Sequence, residues 1–318
     1  MKNNFLLCIL SLLSLNCSAE QHKKVQNKSN SSAITCIPNR GRFGDQLDSY
    51  TTTKWLSYKF NIPGFYAPFE YSDQLILYEQ EKMYTPECYD LFSNIVHLPL
   101  TLKDPLIPNN DTLYIAYWGI EAKVDWEDNV FMDDLKKMIS PRYPIKKLVI
   151  PGGCKSIAVH IRNGGGFHFD TNEKREKWPL RFAPEEFFIE QVARLADMFP
   201  EEKLYVHIFT DHKSPESLKK KFEKTLNNPR ITFGYRKNDN SHDSNVLEDF
   251  FSMMDFDCLI RPASQFSVFV QHLGNNKVVI HPTNSRKLPN GKRVIDAFNI
   301  KTRSAVGKKW NTKKMTVA

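Results

Sequence analysis

Five apolar segments of strand length alternate with segments of helical periodicity over residues 156–280, and this alternation constrains the fold more than any other feature of the chain. The predicted strands lie at 156–161, 204–209, 230–235, 258–261 and 277–280, and the predicted helices at 184–198, 215–226, 245–255 and 264–273. Parallel strands joined by helices form right-handed βαβ units. The second half of the chain is therefore predicted to be a Rossmann-like α/β domain.

The first half of the chain has a weaker pattern of the same kind. A short strand is predicted at 33–37, followed by a glycine-containing turn and a helix, while 61–110 indicates loops with short elements. A second strand is predicted at 112–118 and a helix at 126–139. A Pro-Gly-Gly break at 151–153 marks a boundary, so the sequence predicts two domains, 33–152 and 153–285.

The N-terminus is typical of a secretory signal peptide. Residues 1–19 combine a short basic start, an apolar run too short to span a bilayer and small residues at a cleavage site. Residues 20–32 are polar and indicate a flexible leader. We expect an exported protein, periplasmic or extracellular in a bacterium, with no stable membrane span after cleavage. An uncleaved anchor is the alternative.

Charge and cysteine content exclude some classes of protein. Of the net charge of +8, most resides in residues 286–318, which hold ten Lys and Arg against Asp296 alone and are predicted to form a basic C-terminal tail. Such a tail contacts an anionic partner or is simply solvated, and no nucleic-acid-binding module accompanies it. Four cysteines follow the signal segment without C-x-x-C spacing, which argues against a structural zinc site. Pairing of Cys36 with Cys88 and free thiols both remain open.

Three motifs point to an anion-binding crevice. Residues 41–46 (Gly-Arg-Phe-Gly-Asp-Gln) form a glycine turn after the first strand, and residues 159–164 (Val-His-Ile-Arg-Asn-Gly) lead from a buried strand into a second glycine turn. The third motif runs from Asp249 through an apolar strand to residues 263–267 (Ala-Ser-Gln-Phe-Ser), which open a predicted helix. Ligands of open α/β sheets bind beyond the carboxyl ends of the strands, where glycines and helix N-termini suit phosphate. Arg162 would supply a permanently charged fork for a diphosphate.

Together these motifs resemble the GDP-fucose-dependent fucosyltransferase superfamily, which includes protein O-, α1,6- and α1,2-fucosyltransferases. The resemblance runs through 33–282 in order, with the three motifs as its specific part. It implies a GT-B glycosyltransferase, an α/β protein of two Rossmann-like domains facing across a cleft. The second domain would hold the nucleotide-sugar donor and the first would contact a glycan or protein acceptor. The reaction would proceed with inversion and would need no metal or other cofactor.

The resemblance also implies roles for individual residues. Arg162 would bind the β-phosphate and stabilise the departing diphosphate, and Asp170 would be the general base, with Glu173 as a competitor and a mechanism without a carboxylate base as a further alternative. The donor nucleotide would be bound by residues of the three motifs and by one predicted helix: Arg42, Phe43, Gly44, Asp45, His160, Asp249, Ser264, Gln265 and Phe266. Asp249 has the chemistry to accept hydrogen bonds from guanine N1–H and its exocyclic amine.

Two motif positions depart from the family pattern. Gln265 stands where a second Ser or Thr is usual, and Asp45 stands where Asn is usual and brings negative charge towards a pyrophosphate. These departures motivate two alternatives, a related fold with a different nucleotide sugar and a catalytically inactive protein that binds a glycan or an anion.

Overall fold

The computed structural model describes residues 32–102, 106–120, 122–164, 170–238, 241, 244–303 and 309–317. The predicted signal peptide and nearly all of the predicted leader lie outside these residues. No helix in the described ranges has the length and apolar character needed to cross a membrane. The described cysteines, Cys36, Cys88, Cys154 and Cys258, are all free thiols.

The first half of the chain is built on a three-stranded parallel sheet. Its elements are β1 (Ala33–Ile37), α1 (Phe43–Phe60), β2 (Phe65–Tyr66), α2 (Leu77–Gln80), β3 (Lys82–Met83), β4 (Asn94–His97), β5 (Thr112–Tyr117) and α3 (Asn129–Ile139). Strand β5 lies between β1 and β4 and pairs in parallel with both. Strand β5, a mostly buried run rich in apolar and aromatic residues, was predicted from the sequence. Strand β4 is exposed along its length and carries no such apolar signal.

The second half forms a seven-stranded sheet. Its elements are β6 (Lys155–Ile161), α4 (Thr171–Lys177), α5 (Glu185–Met198), β7 (Leu204–Thr210), α6 (Pro215–Leu226), β8 (Ile231–Tyr235), α7 (Val246–Met253), β9 (Cys258–Ile260), α8 (Gln265–Leu273), β10 (Val278–Lys287), β11 (Arg293–Thr302) and β12 (Asn311–Thr316). The strand order is β12-β11-β10-β9-β6-β7-β8, and β10, β9, β6, β7 and β8 are parallel. The predicted α/β class and parallel sheet are therefore confirmed.

The C-terminal region differs from the predicted basic tail. The sheet continues past residue 285, because β10 runs to Lys287 and β11 and β12 extend it as antiparallel strands. Lys287, Lys313 and Lys314 lie on exposed positions of those strands, while Ile295 and Phe298 face the core. The apolar residues of β11 carry a strand signal that the surrounding charges obscured, whereas β12 has Met315 as its single apolar residue.

One hydrophobic cluster, which includes Phe43 and Leu47 of α1 and Phe250 and Phe269, spans both halves of the chain. Helix α1 is buried on several sides because it packs on β1 and also against α8. The aromatic rings of Phe43, Phe250 and Phe266 meet edge to face, with centroid distances of 5.4 Å for Phe43–Phe250 and Phe250–Phe266. This contact brings the N-termini of α1 and α8 together. Whether the halves act as two domains facing across a cleft stays a prediction.

Candidate functional site

A pocket opens where the carboxyl ends of β6 and β7 meet the N-termini of α1 and α8. Its empty volume, including the solvent space at its open mouth, is about 760 Å³. Residues from both halves of the chain line it. All the predicted site residues except Asp170 line it: Arg42, Phe43, Gly44, Asp45, His160, Arg162, Asp249, Ser264, Gln265 and Phe266. The structure therefore brings the three motifs to one place.

Arg162 is a buried cation in the wall of this pocket. It follows β6, is only 8% exposed, and lies over the Phe182 ring with 5.2 Å between the guanidinium carbon and the ring centroid. Its buried Nε has no hydrogen-bond partner within the described part of the chain. Burial, followed by the charges of Arg42 and Arg181, lowers the pKa of Arg162. A buried guanidinium crowded by two others provides a strong site for an anion.

Asp211 fixes the turn that carries Arg162. Its carboxylate accepts hydrogen bonds from the backbone N–H of Asn163 at 2.6 Å and of Gly164 at 2.9 Å, and it lies 4.0 Å from the Arg42 guanidinium. A Cβ atom at Gly164 would lie 2.9 Å from Asp211 Oδ2, so the turn needs glycine for this close approach. Asp211 sits at the end of β7, the usual place for a turn-forming aspartate, and it also lines the pocket.

His160 is neutral in the folded protein. Burial lowers the pKa of His160 to about 3, and the nearby arginines act in the same direction while Asp211 opposes them. The buried Nδ1 atom has no hydrogen-bond partner among the described residues. The ring lies 5.6 Å from that of Phe266, centroid to centroid. A neutral imidazole offers a ligand one donor and one acceptor.

Two helix N-termini supply further donors. The N-cap residues Arg42 of α1 and Ser264 of α8 make no side-chain capping hydrogen bond in the described structure. The first N–H groups of a helix lack intrahelical partners, and the helix dipole places partial positive charge there. Because both residues line the pocket, these N–H groups and the Arg162 guanidinium attract the same anion.

Gln265 and Asp45, which depart from the family pattern, make contacts that explain why these residues are tolerated at the pocket. The side chain of Gln265 hydrogen-bonds to Asp48 of α1, whose pKa is raised by burial and by Asp45. The Asp45 carboxylate lies 3.9 Å from the guanidinium of Arg181. Arg181 therefore offsets the charge that Asp45 brings towards the pocket. No sequence pattern singled out Arg181, which lies between α4 and α5 and outside the three motifs along the chain.

Asp249 lies at the other end of the pocket, on α7. It accepts a hydrogen bond of 2.5 Å from Arg236, which also forms an ion pair with Glu248 at 3.3 Å. Burial raises the pKa of Asp249, and Arg236 opposes this shift. The ion pair holds one carboxylate oxygen in place, while the residue still lines the pocket.

Asp170 lies outside the pocket lining. Its carboxylate caps α4 by accepting a hydrogen bond of 2.9 Å from the backbone N–H of Glu173, and Glu173 forms an ion pair with Lys177 at 2.6 Å. The structure gives both residues structural contacts, and neither of them lines the pocket. Their assignment as general base stays a prediction.

Sequence reasoning also missed several residues of the pocket wall. They come from segments that carry no motif and include Glu70, Thr210, Ser241, Ser244 and Val246. Only tertiary structure could have placed Glu70 there, because it belongs to the first half of the chain in a segment without strong periodicity.

The described residues contain no group of three or more His, Cys, Asp or Glu side chains that could hold a metal ion. One Asp-x-Asp tripeptide, a pattern used by many metal-dependent glycosyltransferases, occurs at 255–257. Asp257 accepts hydrogen bonds from the backbone N–H and the hydroxyl of Ser156 at 3.1 and 3.0 Å. Ser156 is at the amino end of β6, so this tripeptide lies at the opposite edge of the sheet from the pocket.

The chain matches no protein-family model and no curated protein sequence. It is similar in structure to fucosyltransferases. NodZ α1,6-fucosyltransferase soaked with GDP-fucose is 11% identical, with 84% of this chain and 99% of that chain covered and a TM-score of 0.44. A mutant of Arabidopsis thaliana FUT1 in complex with GDP is 11% identical, with 84% and 74% covered and a TM-score of 0.47. At this level of similarity, the case for a function rests on the pocket.

Proposed function

We propose that this protein is a GT-B glycosyltransferase that moves fucose from GDP-fucose to a hydroxyl group of a glycan or a protein, with inversion and without a metal ion. The observation that carries the proposal is the buried Arg162 guanidinium at a pocket into which two uncapped helix N-termini open. The second half of the chain would hold the nucleotide and the first half would contact the acceptor. The signal-like N-terminus supports export of the protein.

The chemistry follows from the charge that develops during transfer. Breaking the bond between the sugar and the β-phosphate leaves a diphosphate with increasing negative charge. Arg162, the Ser264 hydroxyl and the N–H groups of the first turn of α8, which begins at Gln265, would stabilise that charge from fixed positions. Because these donors are preorganised in a buried site, little reorganisation is needed at the moment of reaction.

The nucleotide would extend from these donors towards α7. A carboxylate can accept hydrogen bonds from both guanine N1–H and the exocyclic amine, and Asp249 provides one at the pocket wall. The neutral ring of His160 would hydrogen-bond to the nucleotide on its ribose side. Uracil and adenine do not present this pair of donors to a carboxylate, so the site favours a guanine nucleotide.

The second candidate function is transfer from another nucleotide sugar at this site, or binding of an anionic glycan by a protein that catalyses no reaction. It is favoured by two contacts, the Gln265 side chain bonded to Asp48 and the Asp45 carboxylate near Arg181. The first contact engages an amide and the second engages the Arg181 guanidinium, and either group could otherwise bind a pyrophosphate directly.

Thermal-shift titration separates these candidates. The proposed function expects GDP to raise the melting temperature well above the shifts caused by UDP or ADP, with and without EDTA. Incubation of labelled GDP-fucose with cell extracts or a glycan array then tests for transfer. A guanine-specific shift without any turnover would support the binding protein, and a larger shift with another nucleotide would support a different donor.

A further inference from the structure

Glu70 is an acidic residue of the pocket wall that belongs to the first half of the chain. It lines the same pocket as Arg162, yet it stands on a tight turn between β2 and α2. Glu70 therefore lies on the proposed acceptor side, opposite the nucleotide-binding residues of the second half.

The backbone of Glu70 is tied to the turn that carries Arg42. The Glu70 N–H donates a hydrogen bond of 2.8 Å to Gln46 Oε1, and Gln46 Nε2 donates one of 2.8 Å to the carbonyl of Gly41. The Gln46 side chain therefore fixes the position of the Glu70 backbone relative to the first motif.

The residues on either side of Glu70 hold its turn rigidly. The N–H of Ser72 donates to the Phe69 carbonyl at 2.9 Å, and Ser72 Oγ accepts from the Phe69 N–H at 3.1 Å. The rings of Phe69 and Tyr71 pack on Phe43, with centroid distances of 6.3 and 6.0 Å.

Tyr71, the next residue, has φ 64° and ψ 6°, a left-handed conformation that is costly for a side chain of this size. Backbone strain of this kind is concentrated at functional sites. The strained turn presents the residue before it, Glu70, to the pocket.

The other carboxylates of the pocket wall are engaged. Asp211 accepts two backbone hydrogen bonds, and Asp249 forms an ion pair with Arg236. Asp45 lies within ion-pair distance of Arg181. By contrast, the carboxylate of Glu70 forms no ion pair with any residue that the structure describes. It is the pocket carboxylate whose charge no described cation neutralises.

We propose that Glu70 is the general base of the transfer reaction, a role that rests on the proposed function. The Glu70 carboxylate takes the proton of the acceptor hydroxyl as the acceptor oxygen bonds to the anomeric carbon of fucose. The bond from that carbon to the β-phosphate oxygen breaks, and its electron pair leaves with GDP towards Arg162. The products are the fucosylated acceptor with inverted configuration, GDP and a proton on Glu70.

The test compares two nucleophiles that differ in their need for a base. Water must lose a proton as it attacks, whereas azide is already an anion and needs none. GDP release from GDP-fucose is measured with water alone and with added azide, for the wild type, Glu70→Gln and Asp170→Asn. Glu201→Gln, an exposed substitution far from the pocket, is the matched control, and GDP affinity is measured for every variant.

General-base catalysis contributes about 10²- to 10⁴-fold. We expect Glu70→Gln to lower the rate with water by at least roughly 100-fold, to keep the azide rate and the GDP affinity, and to yield fucosyl azide of inverted configuration. Equal rates for Glu70→Gln and the wild type with water would overturn the role of Glu70, as would a parallel loss with azide. If only Asp170→Asn, and not Glu70→Gln, greatly lowered the rate with water, the general base would be Asp170. A wild type that neither binds GDP nor releases it from GDP-fucose would instead overturn the proposed function.

Discussion

The backbone of Gly44 touches the backbone of Phe266. A Cβ atom added at Gly44 would lie 2.4 Å from the Phe266 nitrogen and 2.7 Å from its Cα atom. The two residues stand in the first turns of α1 and α8, so this contact sets the distance between the two helix N-termini that line the pocket. The glycine is required for close approach and not for an unusual backbone conformation.

Gly44→Ala should therefore disturb both stability and the pocket. Because the obstructing atoms belong to backbone, the helices must move apart, and overpacking of this kind costs about 1–3 kcal/mol. We expect a lower free energy of unfolding in urea and a weaker thermal shift with GDP. Gly152→Ala is the control, since nothing lies within 4 Å of the Cβ position there. Equal stability of the two variants would mean that α1 and α8 do not meet as described.

Arg162→Met should separate binding from stability. Burial and the neighbouring Arg42 and Arg181 lower the pKa of Arg162, so its charge is penalised in the absence of a bound anion. We expect the variant to be as stable as the wild type or more stable without nucleotide. Loss of charge-assisted hydrogen bonds worth about 1.5–3 kcal/mol should weaken GDP binding roughly 10- to 100-fold.

The comparison for Arg162→Met is Arg286→Met, an exposed substitution on β10. It should leave GDP affinity unchanged. Calorimetric titration with GDP and thermal melts of the free proteins measure both quantities. A destabilised Arg162→Met variant with normal GDP affinity would reverse the interpretation and make Arg162 a structural residue.

The sequence was sufficient to predict the elements whose periodicity is strong. Strands β6 and β7 are buried on both faces and read as continuous apolar runs, and α6 was predicted with its observed bounds because Pro215 and Asn227 mark its ends. The three motifs were assigned to one site because each follows a strand or opens a helix. Turns at the ends of parallel strands meet at one edge of the sheet.

What the sequence could not indicate depends on tertiary contacts. Glu70 lines the pocket and Arg181 pairs with Asp45, each from a loop, and no local pattern shows where a loop lies in space. Asp170 was predicted as the base from its offset along the chain, but a carboxylate before a helix can equally cap that helix. The C-terminal strands resemble a tail because the region is strongly basic and β12 has Met315 as its single apolar residue.

His160 should contribute to acid sensitivity. Burial lowers the pKa of His160 to about 3 from an unfolded value near 6.5. Between these values the unfolded chain binds a proton that the folded protein does not, so stability falls as pH is lowered from about 6.5 towards 3. Each such histidine changes the free energy of unfolding by up to about 1.4 kcal/mol per pH unit.

His160→Asn should reduce that slope by about the same amount between pH 6 and 4. Urea unfolding at a series of pH values measures it. Above roughly pH 7.5 the variant and the wild type should differ by a constant offset, because histidine is neutral in both folded and unfolded chains. Parallel stability curves at low pH would show that His160 is protonated in the folded protein.

Asp249→Asn should change which nucleotide is preferred. Guanine presents N1–H and an amine to the carboxylate, whereas xanthine presents N1–H and a carbonyl oxygen. An asparagine amide accepts from N1–H and donates to that carbonyl, so the variant should lose affinity for GDP and gain affinity for xanthosine diphosphate. A charged hydrogen bond contributes about 1.5–3 kcal/mol, which predicts a change in preference of at least roughly tenfold.

Glu248→Gln is the matched control for this change, because Glu248 is the preceding residue of α7 and pairs with the same Arg236 but does not line the pocket. It should weaken the contact with Arg236 and keep the preference for GDP. Competition between the two diphosphates in thermal-shift titrations of both variants measures the preference. If Asp249→Asn weakened both nucleotides equally, Asp249 would act only by holding Arg236, and recognition of guanine would have to come from other groups of the pocket wall.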